Sequence, residues 1–386
     1  MYPDEEIKYE KILHTVWSEQ LFTCSEFTTT ASEEVRVINP GYLNHSDGPD
    51  FLNAAIQIGN IIHYGAVEIH LNSRDWNSHR HHTDSNYNKV ILHVVADVGD
   101  TSDVRTKIGE NIPTVNIRPF LPDQVNELIG AISGSNLPCS TIVNYISEDA
   151  FTEQLAISRQ EYLDKKVQDF YAFYDPSEGL ADAWKKALMV SLADSLGISQ
   201  NRSTMVEAAH IWLDALNTGI KFTSGKDFAH AAIDQHRINF SRKGVRPAHR
   251  PELRLPQLHR VMLAIHGMDL SVFLDGDIQQ NWKSILEQSG IAKNGFAKII
   301  YGTVFLPAHL ALSQLVFSNA LKSKVFDEWF QLQVLIPEHI RKKFAIFPDQ
   351  LYTQTRKNLG AVHLYHAYCK EKRCLECKVL NKAILS

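Results

Sequence analysis

The chain changes its hydrophobic period along its length, and each period predicts a different kind of structure. Residues 5–22 repeat apolar side chains at three- and four-residue spacing, which predicts a helix. Five short, β-branched segments bounded by Gly, Pro, Asn or Asp come next, and they predict strands over 35–40, 51–59, 61–71, 90–98 and 112–120. The Gly59-Asn60 pair between two of these segments predicts a hairpin turn.

From about residue 121 the pattern is helical nearly to the end. Ser147, followed by two acids, predicts the N-cap of one of these helices. The predicted helices cover 121–132, 147–174, 179–197, 204–230, 256–274, 280–289, 305–320 and 325–336. We therefore expect an α+β protein, with a mixed-sheet α/β domain over 1–147 and an all-helical domain over 148–386.

Composition places the chain among soluble globular proteins. It has 386 residues, 44% hydrophobic and 22% charged, which suffices for two or three compact domains. No uninterrupted apolar run approaches the roughly 20 residues that cross a bilayer, and the start, MYPDEEIKYE, is acidic where a signal peptide is basic and then apolar. We expect a cytoplasmic protein without a membrane partner.

A carboxylate pair on two neighbouring strands is the first candidate for chemistry. In Val-Glu-Ile-His, Glu68 and His70 share one face of a strand, and Asp50 comes just before the strand that pairs with it. Two acids from adjacent strands are suited to bind Mg²⁺ or Mn²⁺, and an imidazole beside them is suited to acid–base work. We predict Asp50 and Glu68 as metal ligands and His70 as a catalytic group.

Histidines are dense immediately downstream, and they leave a second interpretation open. Imidazole-rich ligation, built on His70, His93 and a third histidine, favours Zn²⁺ or Fe²⁺ over Mg²⁺ or Mn²⁺. Trp76 has two candidate roles, stacking on a base or sugar, or anchoring the loop in the core. The predicted supporting residues are Glu19, Trp76, His79, His81, His82, Asp84 and His93.

The order of these features resembles the PD-(D/E)xK nuclease superfamily: a helix with an acid, then Pro-Asp, a hairpin, and Glu-x-basic on the next strand. The resemblance implies a restriction-endonuclease-like fold in which Asp50 and Glu68 hold the metal. It also implies a further acid on the first helix, either Glu10 or Glu19. The departure is His70, which stands where the superfamily has a lysine that positions and activates the attacking water.

Three of the five cysteines are clustered near the C-terminus, with the spacing C-x4-C-x2-C, and Pro138-Cys139 offers a fourth thiol. Lysines and arginines between them favour deprotonated thiolates. Cys139, Cys369, Cys374 and Cys377 are therefore candidate ligands for a structural Zn²⁺ or an iron–sulfur cluster. The alternative is a basic tail with unligated thiols.

The charge is distributed unevenly, which bears on partners. Residues 1–147 hold 9 Lys+Arg against 19 Asp+Glu, and the remainder holds 30 against 25. Segment 236–260 carries six arginines and one lysine against the single acid Glu252, a pattern typical of phosphate contacts. Alternatively, its arginines join helices by binding carbonyls and carboxylates. The predicted nucleic-acid-binding residues are Arg242, Lys243, Arg246, Arg250 and Arg254.

The motifs taken together resemble a whole family. GPDF, VEIH, DW-x2-H-x-HH-x-D-x2-Y, VILHVV, RPAHRPELRL and the terminal YCKEKRCLECKVLNKAIL look like the uncharacterised bacterial family called domain of unknown function 2851, from which no activity carries over. We expect a metal-dependent nuclease that hydrolyses DNA or RNA. The alternatives are a histidine-based metalloenzyme acting on a small molecule or glycan, and a non-catalytic module that binds nucleic acid or protein.

Overall fold

The chain forms two compact units in the computed structural model, which describes residues 3–99, 104–130, 137–197, 200–243 and 245–385. Unit 1 comprises Met1–Leu155, Lys342–Tyr352 and Leu364–Ser386, and unit 2 comprises Ala156–Arg341 and Thr353–His363. A mixed sheet in the N-terminal part is followed by a helical C-terminal part, so the predicted α+β fold class is confirmed.

Unit 1 is built on one seven-stranded sheet. The strands are β1 Glu26–Thr28, β2 Glu34–Asn39, β3 Tyr42–Leu43, β4 Phe51–Ile58, β5 Ile61–Asn72, β6 Val90–Asp97 and β7 Thr114–Asn116. Their order is β1-β2-β4-β5-β6-β7, with β3 beside β4. The pairs from β1 to β5 are antiparallel, whereas β6 and β7 run parallel to β5. All five predicted strands are present, and β1 and β3 are additional.

The predicted hairpin turn is confirmed between β4 and β5. Ile58 pairs with Ile61, which leaves Gly59 and Asn60 as a two-residue loop. Gly59 has φ +56, a left-handed conformation that glycine adopts without steric cost. This tight turn fixes the register that brings the end of β5 beside the start of β4.

Beyond residue 121 the chain is helical as predicted, and Ser147 caps the helix that begins at Glu148, because its Oγ accepts the Ala150 N–H at 3.1 Å. Two predicted helices are each divided, 204–230 at residues 218–224 and 256–274 at residues 267–269. The helices are numbered in chain order. They are α1 Pro3–Ser18, α2 Asp75–Ser78, α3 Asp123–Gly130, α4 Glu148–Tyr171, α5 Leu180–Leu196, α6 Arg202–Asn217, α7 Gly225–His230, α8 Pro251–His266, α9 Leu270–Asp275, α10 Ile278–Ser289, α11 Gly295–Ile300, α12 Leu306–Leu315, α13 Asn319–Gln331, α14 Glu338–Phe344, α15 Asp349–Thr355, α16 Leu359–His363 and α17 Lys378–Leu385.

The core of unit 1 lies between the sheet and helix α1. Ile12, Leu13 and Val16 of α1 share one buried cluster with Val67 and Ile69 of β5. These β5 side chains point to one face, so the alternate residues Glu68 and His70 point to the other. The hydrophobic pattern of β5 thereby determines which face carries the candidate chemistry.

Unit 2 is a helical unit with its own core, in which the Trp184 indole donates to the Ala308 carbonyl at 2.8 Å. Among the described residues, Gly295–Leu315 is one helical stretch that is long and apolar enough to cross a membrane, and 72% of the window tested is buried within the protein. That degree of burial is usual for a core helix, and the stretch is weak grounds for a membrane span.

Because β5 and β6 approach closely at Gly65, we predict that replacing this glycine with any larger residue destabilises the protein. A Cβ there would lie 2.5 Å from Ile91 Cγ2 and from the Lys89 carbonyl oxygen. Because backbone cannot move aside cheaply, Gly65→Ala is expected to lower the free energy of unfolding by about 1–3 kcal/mol. Chemical denaturation followed by circular dichroism measures the change.

Gly59→Asn is the matched control, since a Cβ at Gly59 meets nothing within 4 Å. Asparagine also tolerates the left-handed conformation, so a cost below about 1 kcal/mol is expected. Equal stability of the Gly65→Ala variant and the wild type would contradict the packing argument.

Candidate functional site

The site is built where β5 extends beyond its neighbour β4. Phe51, the first residue of β4, pairs with Val67, and among the described residues no strand continues on that side of β5. Main-chain N–H groups at such an edge need acceptors. The Ile69 N–H donates to Asp50 Oδ2 at 2.9 Å, and the Leu71 N–H donates to the Glu10 carboxyl group of α1. Carboxyl groups thus replace the missing strand.

Asp50 and Glu68 are linked in both directions. The Asp50 N–H donates to Glu68 Oε2 at 3.0 Å, while the side chain of Asp50 accepts from the residue after Glu68. Two local irregularities bring the chain to this position: Gly48 has φ +111, and Asn53 has φ +57 at a bulge in β4. Bulges of this kind often redirect side chains beside functional sites.

The acids repel one another in a region with little water. The pKa of Glu10 is raised to about 9, first by burial and then by the charges of Asp50, Asp75 and Glu68, and the hydrogen bond from Leu71 opposes this rise. Burial also raises the pKa of Glu68 well above its usual value, and Asp50 is the next cause. Only 4% of Glu68 and 7% of Glu10 are exposed. A bound cation would stabilise the ionised forms of these groups.

Imidazoles converge on Glu68 from the other side. His70 Nε2 lies 3.4 Å from Glu68 Oε1, and His81 Nε2 lies 3.1 Å from the same oxygen. His79 Nδ1 lies 3.3 Å from His70 Nε2. One potential ligand atom from each of His70, His79 and His81 lies within 4.8 Å of the other two. Glu68 is therefore shared between an acidic group and a histidine group.

His70, His81 and His93 are neutral at physiological pH. Burial lowers the pKa of His81 to about 4 and that of His93 to about 3. Burial also lowers the pKa of His70 well below its usual value, and the neighbouring imidazoles lower it further. A neutral imidazole keeps one lone pair, which serves either as a metal ligand or as a proton acceptor.

A chain of hydrogen bonds orients His70. Its Nδ1 lies 2.8 Å from His93 Nε2, and His93 Nδ1 lies 3.4 Å from Thr114 Oγ1. If each neutral ring donates along this chain toward Thr114, the lone pair of His70 Nε2 faces Glu68. The three residues come from the adjacent strands β5, β6 and β7.

Trp76 and Tyr87 pack around the histidines. Trp76 is 0% exposed and its indole donates to the Arg105 carbonyl at 3.0 Å, so the structure excludes the stacking role and leaves the role of loop anchor. The Tyr87 ring stacks on His81 with 3.8 Å between centroids, and its hydroxyl donates to the Gly48 carbonyl at 3.3 Å. Both aromatic residues fix the loop that carries His79 and His81.

Three predicted supporting residues lie outside this cluster. Glu19 is exposed just after α1, nine residues and about 13 Å of helical rise beyond Glu10, so Glu10 is the acid that α1 supplies. His82 is exposed, although its neighbour His81 is buried. Asp84 caps a 3₁₀ turn, because its Oδ1 accepts the Asn86 N–H at 2.9 Å.

Sequence reasoning missed His14 and Asp75. His14 lies one helical turn after Glu10, and its Nε2 is 3.2 Å from Asp50 Oδ2 without hydrogen-bond alignment. The i, i+4 spacing from Glu10 was the signal that could have revealed it. Asp75 is 4% exposed, and its Oδ2 accepts the Asn72 N–H at 3.0 Å.

The residues present suit a divalent cation. Three buried polar atoms at this place make no aligned hydrogen bond in the protein: Glu10 Oε1, His14 Nε2 and His81 Nε2. The two histidine atoms lie 3.2 and 3.1 Å from carboxylate oxygens of Asp50 and Glu68, but without hydrogen-bond alignment. The three atoms accompany the oxygens of Asp50 and Glu68 in a mixed oxygen and nitrogen donor set, which divalent metals from Mg²⁺ to Zn²⁺ accept. Buried polar atoms that lack a partner are uncommon and call for an explanation.

The predicted basic residues lie in unit 2 and divide into two groups. Arg254 is 5% exposed, stacks 4.5 Å above the Phe296 ring and donates to Gln257 at 2.8 Å, so it holds helices together and does not face solvent. Arg242 is exposed and paired with Glu252 at 2.7 Å. Lys243, Arg246 and Arg250 are exposed.

The four candidate cysteine ligands belong to unit 1, although Cys139 precedes the other three by more than 200 residues. The Cys369 thiol interacts electrostatically with those of Cys139, Cys374 and Cys377. The structure therefore brings the four residues into one region.

The comparison with protein-family models identifies the family to which this chain belongs. The model of the family described as protein of unknown function (DUF2851) matches residues 10–216, which is more than half of the chain, so the chain belongs to this family. No curated protein matched the chain in a second comparison. A comparison with solved structures also found no match.

Burial of the Glu10 carboxyl group predicts that the folding stability of the protein depends on pH when a chelator keeps metal ions away. The unfolded chain releases this proton near pH 4.5 and the folded chain near pH 9, so folding binds a proton in between. Stability from this group is therefore full below pH 4.5 and is lost progressively as pH rises to 9. Glu10→Gln removes this dependence of stability on pH. The Tm of the variant minus the Tm of the wild type is therefore expected to increase by several degrees between about pH 5 and pH 9.

Thermal denaturation in buffers across this range measures the difference. Glu19→Gln is the matched control, an exposed acid after the same helix, and its Tm difference should not change with pH. A constant difference for Glu10→Gln would show that its carboxyl is not protonated in the folded protein.

Proposed function

We propose that this member of the DUF2851 family is a divalent-metal-dependent nuclease that hydrolyses phosphodiester bonds of DNA or RNA. The observation that carries the proposal is the convergence of Glu10, Asp50 and Glu68, from α1, the start of β4 and the middle of β5, beside the neutral His70. Carboxylates from separate elements that share one buried place are typical of hydrolytic metal sites.

The order of elements supports the same proposal. An acid on α1, Pro49-Asp50 before β4, the Gly59-Asn60 hairpin and Glu68-x-His70 on β5 follow the order in which the sequence resembles PD-(D/E)xK nucleases. In this chain Glu10, and not Glu19, occupies the position of the helix acid. The resemblance concerns these positions alone.

Asp50 and Glu68, with Glu10, would hold Mg²⁺ or Mn²⁺. Such an ion polarises a phosphate oxygen and lowers the pKa of water. The three side chains contribute negative charge that offsets the charge of the ion, and Asp50 has a further role because it holds the β5 edge through Ile69. Burial of Glu68 excludes competing water from its oxygens.

His70 acts by accepting a proton. Its Nε2 faces Glu68, and His93 with Thr114 holds its ring orientation through Nδ1. A lysine at this position would bring a fixed positive charge, whereas a neutral imidazole takes a proton from the attacking water and becomes charged only during the reaction. The nearby carboxylate of Glu68 stabilises the imidazolium that results.

A second candidate is favoured by the histidine group itself. His70, His79 and His81 place their ligand atoms within 4.8 Å of one another, a set that suits Zn²⁺ or Fe²⁺. This arrangement supports a metalloenzyme acting on a small molecule or glycan. Stoichiometric Zn²⁺ or Fe²⁺ that is lost in His79→Ala, together with no phosphodiester hydrolysis, would favour it over the nuclease.

The nuclease proposal predicts that activity depends on the two interlocked acids. Asp50→Asn and Glu68→Gln keep the side-chain shape but remove the charge that a cation needs, so a loss of at least about 100-fold in kcat is expected. Cleavage of labelled single- and double-stranded DNA and RNA in Mg²⁺ or Mn²⁺, with and without chelator, provides the measurement.

Glu34→Gln is the control, an exposed acid on β2 of the same sheet, and it should retain wild-type cleavage. Wild-type activity in the Asp50 and Glu68 variants would refute the site. Oligonucleotide binding without turnover in any of these metals would favour the non-catalytic binding module instead.

The exposed basic residues of unit 2 predict how the nucleic acid is held. Replacing Lys243, Arg246 and Arg250 together by Ala should weaken oligonucleotide binding and reduce the slope of log K against log [salt] by about 1 for each lost phosphate contact. Fluorescence anisotropy over a salt series measures both quantities. Ala substitutions at the exposed Lys221, Lys226 and Lys283 of the same unit are the matched control, and an equal loss there would contradict a specific role for the segment.

A further inference from the structure

The C-terminal cysteines lie on consecutive tight turns. Cys369 ends a π-helical segment, and its carbonyl accepts the Lys372 N–H at 3.3 Å, with Lys372 at φ +53. Cys374 begins a 3₁₀ turn, and its carbonyl accepts the Cys377 N–H at 3.1 Å. These turns keep the segments that carry Cys369 and Cys374 in contact with each other.

The start of α17 is anchored within unit 1. The Lys378 N–H donates to Gln154 Oε1 of α4 at 2.8 Å, and Lys382 pairs with Glu153 at 2.8 Å. Cys377 immediately precedes this helix; burial raises the pKa of its thiol, and hydrogen bonds from the Val379 and Leu380 N–H groups to its sulfur partly oppose this rise. Hydrogen bonds from main-chain N–H groups stabilise a thiolate more than a thiol.

The fourth cysteine reaches the same place from a distant part of the chain. Helix α3 packs against α17, and Cys139 lies in the 3₁₀ turn Pro138–Ser140. Cys139 and Cys374 both pack against the unit 1 core cluster that includes Leu380 of α17. Two segments remote in sequence therefore pack their cysteines on the same core.

The four thiols act on one another electrostatically. Burial raises the pKa of the Cys139 thiol, and Cys374 and Cys377 raise it further. Burial likewise raises the pKa of Cys369 well above its usual value, and the other three cysteines add to the effect. All five cysteines of the chain are described, and none forms a disulfide.

We propose that Cys139, Cys369, Cys374 and Cys377 form a tetrathiolate site for a thiophilic metal centre, a single Zn²⁺ or an iron–sulfur cluster, that fastens the C-terminal segment to unit 1. Each thiol releases its proton to solvent as its sulfur–metal bond forms, and a cluster additionally requires iron and sulfide from the cell. Lys370, Lys372, Arg373 and Lys378 lie among the C-terminal cysteines in sequence, and of these Arg373 pairs with Glu376 and Lys378 with Glu153. This inference is independent of the proposed nuclease activity.

The test uses the full-length protein, purified without oxygen from cells supplied with zinc and iron. Metal and sulfide are counted per chain, and absorption spectra are recorded for the protein as isolated and after replacement of zinc by Co²⁺. A zinc site gives thiolate-to-Co²⁺ charge-transfer bands, and an iron–sulfur cluster gives broad visible absorption. These bands report sulfur ligation, so a metal held by histidines and carboxylates alone does not produce them.

The variants are Cys374→Ser and Cys139→Ser, with Cys24→Ser as the matched control, because the Cys24 thiol donates to the Glu26 carbonyl at 3.0 Å. We expect sulfur-ligand bands in wild type and in Cys24→Ser, and at least a tenfold loss of the bound metal in the other two. Absence of these bands in the wild-type protein overturns the proposal even if the serine variants fail to fold. Retention of the bands in both Cys374→Ser and Cys139→Ser overturns it as well.

Discussion

The unpaired end of β5 is the constraint on which the candidate site depends. A strand that extends beyond its neighbour leaves main-chain N–H groups without a partner strand. In this chain the carboxyl groups of Asp50 and Glu10 accept hydrogen bonds from the N–H groups of Ile69 and Leu71. The acids are therefore required by the sheet as well as available for chemistry. Bringing them into a buried place beside Glu68 costs electrostatic free energy, which a divalent cation would offset. The same hydrogen bonds therefore complete the sheet and assemble the acids of the proposed metal site.

The histidine group shows how a neutral side chain can occupy a position where a cation would be expected. The imidazoles of His70, His81 and His93 are packed together in a region of low dielectric, so burial and repulsion between imidazoles keep these three side chains uncharged. His93 and Thr114 then fix the ring of His70 from behind. The positive charge that a lysine would carry permanently is present in this site only when a proton or a metal has arrived.

Much of the fold was readable from periodicity, and part of the site was not. The alternation in Val67, Glu68, Ile69 and His70 predicted which residues face the core, and the Gly59-Asn60 pair predicted the register. β1 and β3 escaped because three and two residues are too short to show a period. The choice between Glu10 and Glu19 could not be made from the sequence, because it depends on which end of α1 lies over β5. The burial of Trp76 and Arg254 could not be predicted either, because it results from tertiary packing.

The return of residues 364–385 to unit 1 has a consequence for synthesis of the protein. The sheet, α3 and Cys139 leave the ribosome while α17 is still to be translated, about 240 residues later. At about 5–20 residues per second, that interval is roughly 12–48 s. During it, the apolar surface of α3 that later covers Leu380 and Ile384 stays open to water or to a chaperone. Synthesis of unit 1 starts before that of unit 2 and ends after it. Unit 2 therefore has time to fold while unit 1 still lacks its C-terminal segment.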